Sequence, residues 1–159
     1  MNWEKKINEF VKLADRHNVR MILVGGGAVN FHGYQRHSAD VDFWIETSKE
    51  NLNNLVAVFN EMGYEIDSFP KEVAKQQQNI SVKFSPAEME LELITRFSLN
   101  KSFNDAYKES EEVEIQGLNF MKWRVLSYED LITSKIKANR PKDLLDIQQL
   151  QRIKNNNNQ

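Results

Sequence analysis

Asp40 and Asp42 are separated by a single valine, and a run of glycines, Gly25 to Gly27, precedes them by a short spacer. On a β-strand successive side chains alternate between faces, so carboxylates at this spacing share one face, roughly 7 Å apart along the chain. Oxygen ligands so placed suit a hard divalent cation such as magnesium, which binds through one or two carboxylates together with substrate phosphates. Glycines supply the complementary half. Lacking a Cβ, they let backbone N–H groups come close to an anion, at a helix N-terminus whose dipole favours negative charge. Together the two halves read as a site for a metal-bound nucleoside triphosphate.

Each half also has a plainer meaning. Glycines alone describe a tight strand-to-helix turn more readily than a phosphate cradle, and an Asp-x-Asp pair alone describes a solvated strand face. The neighbours weigh against the second reading. Val41, Phe43 and Ile45 make the opposite face apolar, while Trp44 shares the face of the aspartates. A strand of this kind is partly buried on both sides, where carboxylates need cations or donors nearby.

The elements that position these residues follow from periodicity. Trp3, Ile7, Phe10, Val11 and Ala14 recur at helical spacing and predict a first helix ending near Asn18. Arg20 to Val24 is an apolar run suited to a buried strand, Gly25 to about His32 a second helix, and Asp40 to Glu46 the acidic strand. Ser48 is placed to cap a helix with Leu52, Leu55, Val56 and Phe59 inward and Gly63 as its stop. The polar stretch from Phe69 to Gln78 reads as a short helix or a loop. Ile80, Val82 and Phe84 alternate as a strand, and Met89, Leu91 and Leu93 alternate again after Pro86, which turns Glu88, Glu90 and Glu92 to the other face. By alternation alone that face is simply half-exposed. A helix from Ser102 to Glu109 follows, then a hairpin of Val113 to Ile115 with Leu118 to Met121 around Gln116-Gly117. Ser127-x-x-Asp130 opens a helix with Tyr128, Leu131, Ile132 and Ile136 on its apolar face and Lys135 in the middle of it. Such a lysine either snorkels to solvent or meets an anion. Pro141 fits the first turn of a last helix with Leu144, Ile147 and Leu150 inward. Asp143 and Asp146 read as structural acids, either able to pair with Lys135 when no nucleotide is bound. His17, His32 and His37 show no metal-ligand spacing, and only His37, in the loop before the aspartates, is placed to meet substrate.

Composition sets outer limits. At 159 residues the chain is expected to form a single domain over 1–154, with the asparagine-rich 155–159 as a disordered tail. A formal charge of −2 gives no whole-molecule pull toward nucleic acid, and the absence of cysteine removes disulfides, zinc thiolates and thiol nucleophiles. No signal peptide or membrane span is read from the sequence, which leads us to expect a cytoplasmic protein. Strands alternating with helices predict an α/β (α+β) fold, a mixed β-sheet flanked by helices.

The stretch from Val24 to Asp42 resembles the signature of the nucleotidyltransferase fold of the DNA polymerase beta superfamily: an apolar residue, Gly-Gly or Gly-Ser, a spacer, then Asp-apolar-Asp or Asp-apolar-Glu. More closely, the chain is similar to small bacterial nucleotidyltransferase-like proteins related to abortive-infection toxins, in which an arginine and a Ser or Thr precede the acidic pair, here Arg36 and Ser38. The resemblance implies a palm-like sheet and nucleotidyl transfer with two magnesium ions, or manganese in their place. Leu91-Glu92-Leu93-Ile94-Thr95 matches an apolar-Asp-apolar-apolar-Thr stretch of these relatives, with glutamate for aspartate, and makes Glu92 the third carboxylate beside Asp40 and Asp42. A lysine followed by Gly/Asn-Arg-Pro-Lys-Asp matches Lys135 and Asn139 to Asp143, which implies Lys135 as partner of the triphosphate tail. By the same resemblance Gly25, Gly26, Gly27, Arg36 and Ser38 bind nucleotide.

The acceptor is open at this level. An RNA end modified by a toxin-like enzyme and a small hydroxylated compound such as an antibiotic both fit. So does a different class, a catalytically silent nucleotide-binding or antitoxin-like partner module on the same fold; the retained carboxylates weigh against silence, and the glutamate at position 92 leaves it standing.

Overall fold

The computed structural model describes residues 5–86, 88–115 and 121–158. Its centre is a six-stranded mixed sheet in the order β3-β4-β2-β1-β6-β5. The strands are β1 (Met21–Val24), β2 (Asp40–Ile45), β3 (Ile80–Lys83), β4 (Glu90–Ile94), β5 (Glu111–Ile115) and β6 (Met121–Val125). The helices are α1 (Lys5–Arg16), α2 (Gly25–Phe31), α3 (Lys49–Glu61), the short α4 (Lys71–Ala74), α5 (Phe103–Glu109), α6 (Tyr128–Ala138) and α7 (Pro141–Asn157). The α/β class expected from the alternation of periods is therefore the class observed.

Burial explains the placement of the strands. β1 is buried along its whole length, and it lies centrally, antiparallel to β2 and parallel to β6. Continuous apolar runs belong where both faces are covered. On β2 the odd positions Val41, Phe43 and Ile45 are buried, and Phe10 of α1 links Phe43 to Phe59 of α3, with ring centroids 6.2 and 5.7 Å apart. That layer is the main core. The opposite face of β2 carries Asp40, Asp42 and Trp44, and Trp44 lies under Phe97 and Phe103 at 5.2 and 5.3 Å. The strand is thus covered on both sides, as its sequence requires.

Local signals end the helices where expected. Ser48, Ser102 and Ser127 each accept a hydrogen bond from the backbone N–H three residues on, which satisfies one of the free donors of α3, α5 and α6. Gly63 has φ +103° just beyond α3, a conformation that disfavours any side chain. The turn at Gln116-Gly117 and the strand residues Leu118 to Phe120 lie outside the described residues, as does Trp3; β6 runs from Met121 to Val125, beyond the expected hairpin.

The last two helices depart from the expected packing. Ile136 is 59% and Leu144 54% exposed, whereas Asp143 and Asp146 are buried together with Leu150. Asn139, in the left-handed region at φ 52°, turns the chain tightly between α6 and α7. Near its start the inward face of α7 therefore meets Lys135 with Asp143 and Asp146, and farther along it buries Leu150 as expected. Helix α7 continues as far as Asn157.

Candidate active site

A cleft of about 470 Å³ opens beside the end of β1 and the start of β2, lined by Gly25, Gly26, Arg36, Ser38, Asp40, Asp42, Glu92, Lys135, Arg140 and Lys142. Three adjacent strands supply its floor. The register pairs Val24 with Asp42 across β1 and β2, Asp42 with Glu92 and Asp40 with Glu90 across β2 and β4. Parallel pairing puts residues opposite one another on the same face, so the carboxylate of Glu92 comes beside that of Asp42 although fifty residues of chain separate them. The sheet thereby assembles the acidic group that sequence spacing alone does not place.

The glycine turn is shaped by these acids. Helix α2 begins directly at the end of β1, and its preceding residue, Val24, offers no side-chain cap. Gly25 has φ +61°, and a Cβ built on it would run into the Asp42 carboxylate. A Cβ on Gly26 would stand 2.6 Å from Ser38 Oγ and 3.5 Å from Arg36 Nη1. Both positions need glycine because polar side chains press against the backbone there. Gly27 differs: its Cβ position meets Leu23 Cδ1 at 2.8 Å, so it lets α2 pack on β1, and it is not among the residues lining the cleft.

Charge is unevenly balanced across the cleft. The Asp42 carboxyl is pushed up to about 6 by burial, and further by Asp40 and Glu92, while Lys142 and Lys135 pull the other way. Crowded carboxylates with too little positive charge between them fit a divalent cation, which Asp40, Asp42 and Glu92 would hold. Among the described residues no three acidic or imidazole side chains close into a metal cage by themselves. Magnesium does not demand one, since substrate phosphates and water complete its octahedron. Glu92 Oε2 accepts a hydrogen bond from Ser81 Oγ on β3, which anchors that carboxylate toward the edge strand.

The cations are organised by α7. Lys135, only 5% exposed, lies 3.2 Å from Asp143 Oδ1 and 3.0 Å from Asp146 Oδ2. Arg36 donates through Nε and Nη2 to the two oxygens of Asp146 at 2.8 and 3.0 Å, a bidentate pair that ties the loop before β2 to the last helix. Arg140 donates from Nε to Asp143 Oδ2 at 2.6 Å and from its backbone N–H at 3.1 Å. Burial pushes the Asp143 carboxyl upward, but the hydrogen bonds from Arg140 and the charge of Lys135 outweigh it and hold it below the usual range. Lys135 therefore does not snorkel; it meets anions, and in this structure they belong to the protein. Ser38 likewise spends its hydroxyl on the Asp40 carbonyl at 2.9 Å. Of the histidines, His17 bonds Glu61 and His32 bonds the Leu126 carbonyl, and His37 does not line the cleft. Neither Arg140 nor Lys142 receives a role from the sequence alone; the run Arg140-Pro141-Lys142-Asp143 after Lys135 is the signal available for both.

A mixed sheet that brings a glycine turn, an acidic pair and a cluster of cations to one cleft is the architecture of a nucleotide-handling α/β protein. The family model described as "Nucleotidyltransferase of unknown function (DUF6036)" matches residues 2–157, and the chain belongs to this nucleotidyltransferase family. A comparison with curated proteins returns no match. Among solved structures the chain is similar to ANT(2″)-Ia in complex with adenylyl-2″-tobramycin, at 14% identity over 91% of this chain and 84% of that one, with a TM-score of 0.49. Among the described residues no helix is long and apolar enough to cross a membrane.

Proposed function

We propose that this chain transfers a nucleoside monophosphate from a nucleoside triphosphate to an acceptor hydroxyl, with Asp40, Asp42 and Glu92 as the acidic group and magnesium as the metal. The observation that carries the reading is the contact between the two sequence motifs: Gly25 is pressed against Asp42, so backbone amide and carboxylate face one cleft. When bound, two metal ions would neutralise the phosphates and stabilise charge on the attacking and leaving oxygens. Gly25 and Gly26 let the Asp42 carboxylate and the Ser38 hydroxyl lie against the backbone at the cleft, where the start of α2 would meet the phosphates, and Arg36, held by Asp146, forms the wall beside them. The acceptor oxygen forms a bond to the α-phosphorus, the bond from that phosphorus to the β-phosphate oxygen breaks, and pyrophosphate leaves. Glu92, which lines the same cleft as Asp40 and Asp42, would take the acceptor's proton.

The acceptor is an RNA end or a small hydroxylated compound, and one assay separates them. Incubation with labelled triphosphate, magnesium, total RNA and a panel of polyhydroxylated small molecules should label one class and not the other. A second reading, a silent nucleotide-binding module that works through a protein partner, is favoured by the commitment of Glu92 to Ser81. Magnesium-dependent triphosphate binding with no labelled product in any fraction would select it. Equal triphosphate binding in chelator would remove the metal-dependent reading.

A further inference from the structure

Four cations line the cleft, namely Arg36, Lys135, Arg140 and Lys142. The first three are held by buried aspartates, Arg36 and Lys135 on Asp146, Lys135 and Arg140 on Asp143. Lys142 differs from them. It is exposed on the cleft wall, and among the described residues it has no ion pair or hydrogen bond. Its position is also locally unfavourable: it is the second residue of α7, and the positive end of a helix dipole repels a cation in the first turn. A cation at a helix start that no ion pair holds, on the wall of the cleft shared by the glycine turn and the acidic pair, is free to receive an anionic ligand. Lys142 lines the same cleft as Asp40, Asp42 and Glu92.

We propose that Lys142 is the residue that receives the β- and γ-phosphates of the triphosphate, while Lys135 is a positioning residue whose ion pairs lock α7 so that Lys142 stands over the cleft. The inference rests on the nucleotidyltransferase reading of this cleft and names which lysine does the binding. Moving Lys135 to the phosphates would strip charge from two buried carboxylates, whereas Lys142 can bind at no such cost.

The test is calorimetric titration, in magnesium and without acceptor, of the parent, Lys142→Met and Lys142→Arg. The parent is first offered ATP, GTP, CTP and UTP, and the tightest is used together with its monophosphate. For Lys142→Met the expected result is about tenfold weaker triphosphate binding, the usual scale of one lost charged contact, with monophosphate affinity and melting temperature unchanged. Lys142→Arg should recover most of the loss, and raising salt should narrow the difference between parent and Lys142→Met. Triphosphate binding by Lys142→Met within about twofold of the parent would overturn the proposal and leave the nucleotidyltransferase reading intact. An equal loss for mono- and triphosphate would overturn it too. A parent that binds no triphosphate at all would remove the reading itself, and this proposal with it.

Discussion

At the residue scale, two side chains carry opposite burdens. Asp42 is a carboxyl whose pKa in the folded chain is about 6 against 3.8 for the free group. The folded state therefore binds its proton more tightly than the unfolded state. In metal-free buffer this group lowers stability above about pH 6, and the penalty is relieved as pH falls from 6 toward 3.8. Asp42→Asn should raise the melting temperature of the metal-free protein at pH 7, by the equivalent of about 2 kcal/mol after discounting for its partial exposure, and should flatten the rise in stability between pH 7 and pH 5. The same variant should lose magnesium-dependent triphosphate binding. Thermal melts at several pH values, with and without magnesium, check both halves. Lys135 is the converse case. Lys135→Met keeps the apolar stem but leaves Asp143 and Asp146 buried with one cation fewer, so it should cost on the order of 3 kcal/mol in denaturant unfolding. A lysine that merely snorkelled would give almost no change.

At the scale of elements, the glycine turn and α7 decide whether the cleft exists. Gly25→Ala places a side chain in the left-handed region, which costs about 1–2 kcal/mol, and also drives it against Asp42. It should fold with reduced stability and lose most magnesium-dependent triphosphate affinity by displacing the carboxylate. Gly27→Ala tests a different relation, because its neighbour is Leu23 rather than the acids. It should cost stability through the packing of α2 on β1 without a selective loss of nucleotide affinity. Melting curves and titrations on the two variants distinguish cradle from packing. Helix α7 reaches the site through Arg36 as well as Lys135, so Asp146→Asn should loosen both the loop before β2 and the start of α7.

At the scale of the whole molecule, ligand binding should be visible as stability. A nucleotide that binds only the folded chain contributes about 2.7 kcal/mol at a hundred times its dissociation constant, which for a chain of this size is a rise in melting temperature of roughly 5–10 °C. Magnesium with triphosphate should produce this shift, magnesium alone a smaller one, and triphosphate in chelator none. A shift in chelator as large as that in magnesium would place nucleotide in the fold without the acidic pair.

What the sequence determined by itself was whatever depends on nearest neighbours along the chain. The alternation in Val41 to Ile45 established a strand covered on both faces with Asp40 and Asp42 together, the seryl caps set three helix starts, and glycine at positions 25 and 26 marked the turn into α2. The family likeness extended this to Glu92, which local alternation read only as a half-exposed strand face. Only the tertiary structure decided what crosses between segments. Parallel pairing of β2 with β4 brought Glu92 to Asp42, since register is a property of two strands and not of either. Helical periodicity placed Leu144, Ile147 and Leu150 inward on α7; Leu150 is buried as expected, but Leu144 is exposed, because Asp143 and Asp146 take the inward side near the start of that helix against the buried Lys135. The family likeness singled out Lys135 and gave Lys142 no role of its own; both line the cleft, and what the tertiary structure adds is that Asp143 and Asp146 pack against the first, a contact between two helices that no local pattern encodes.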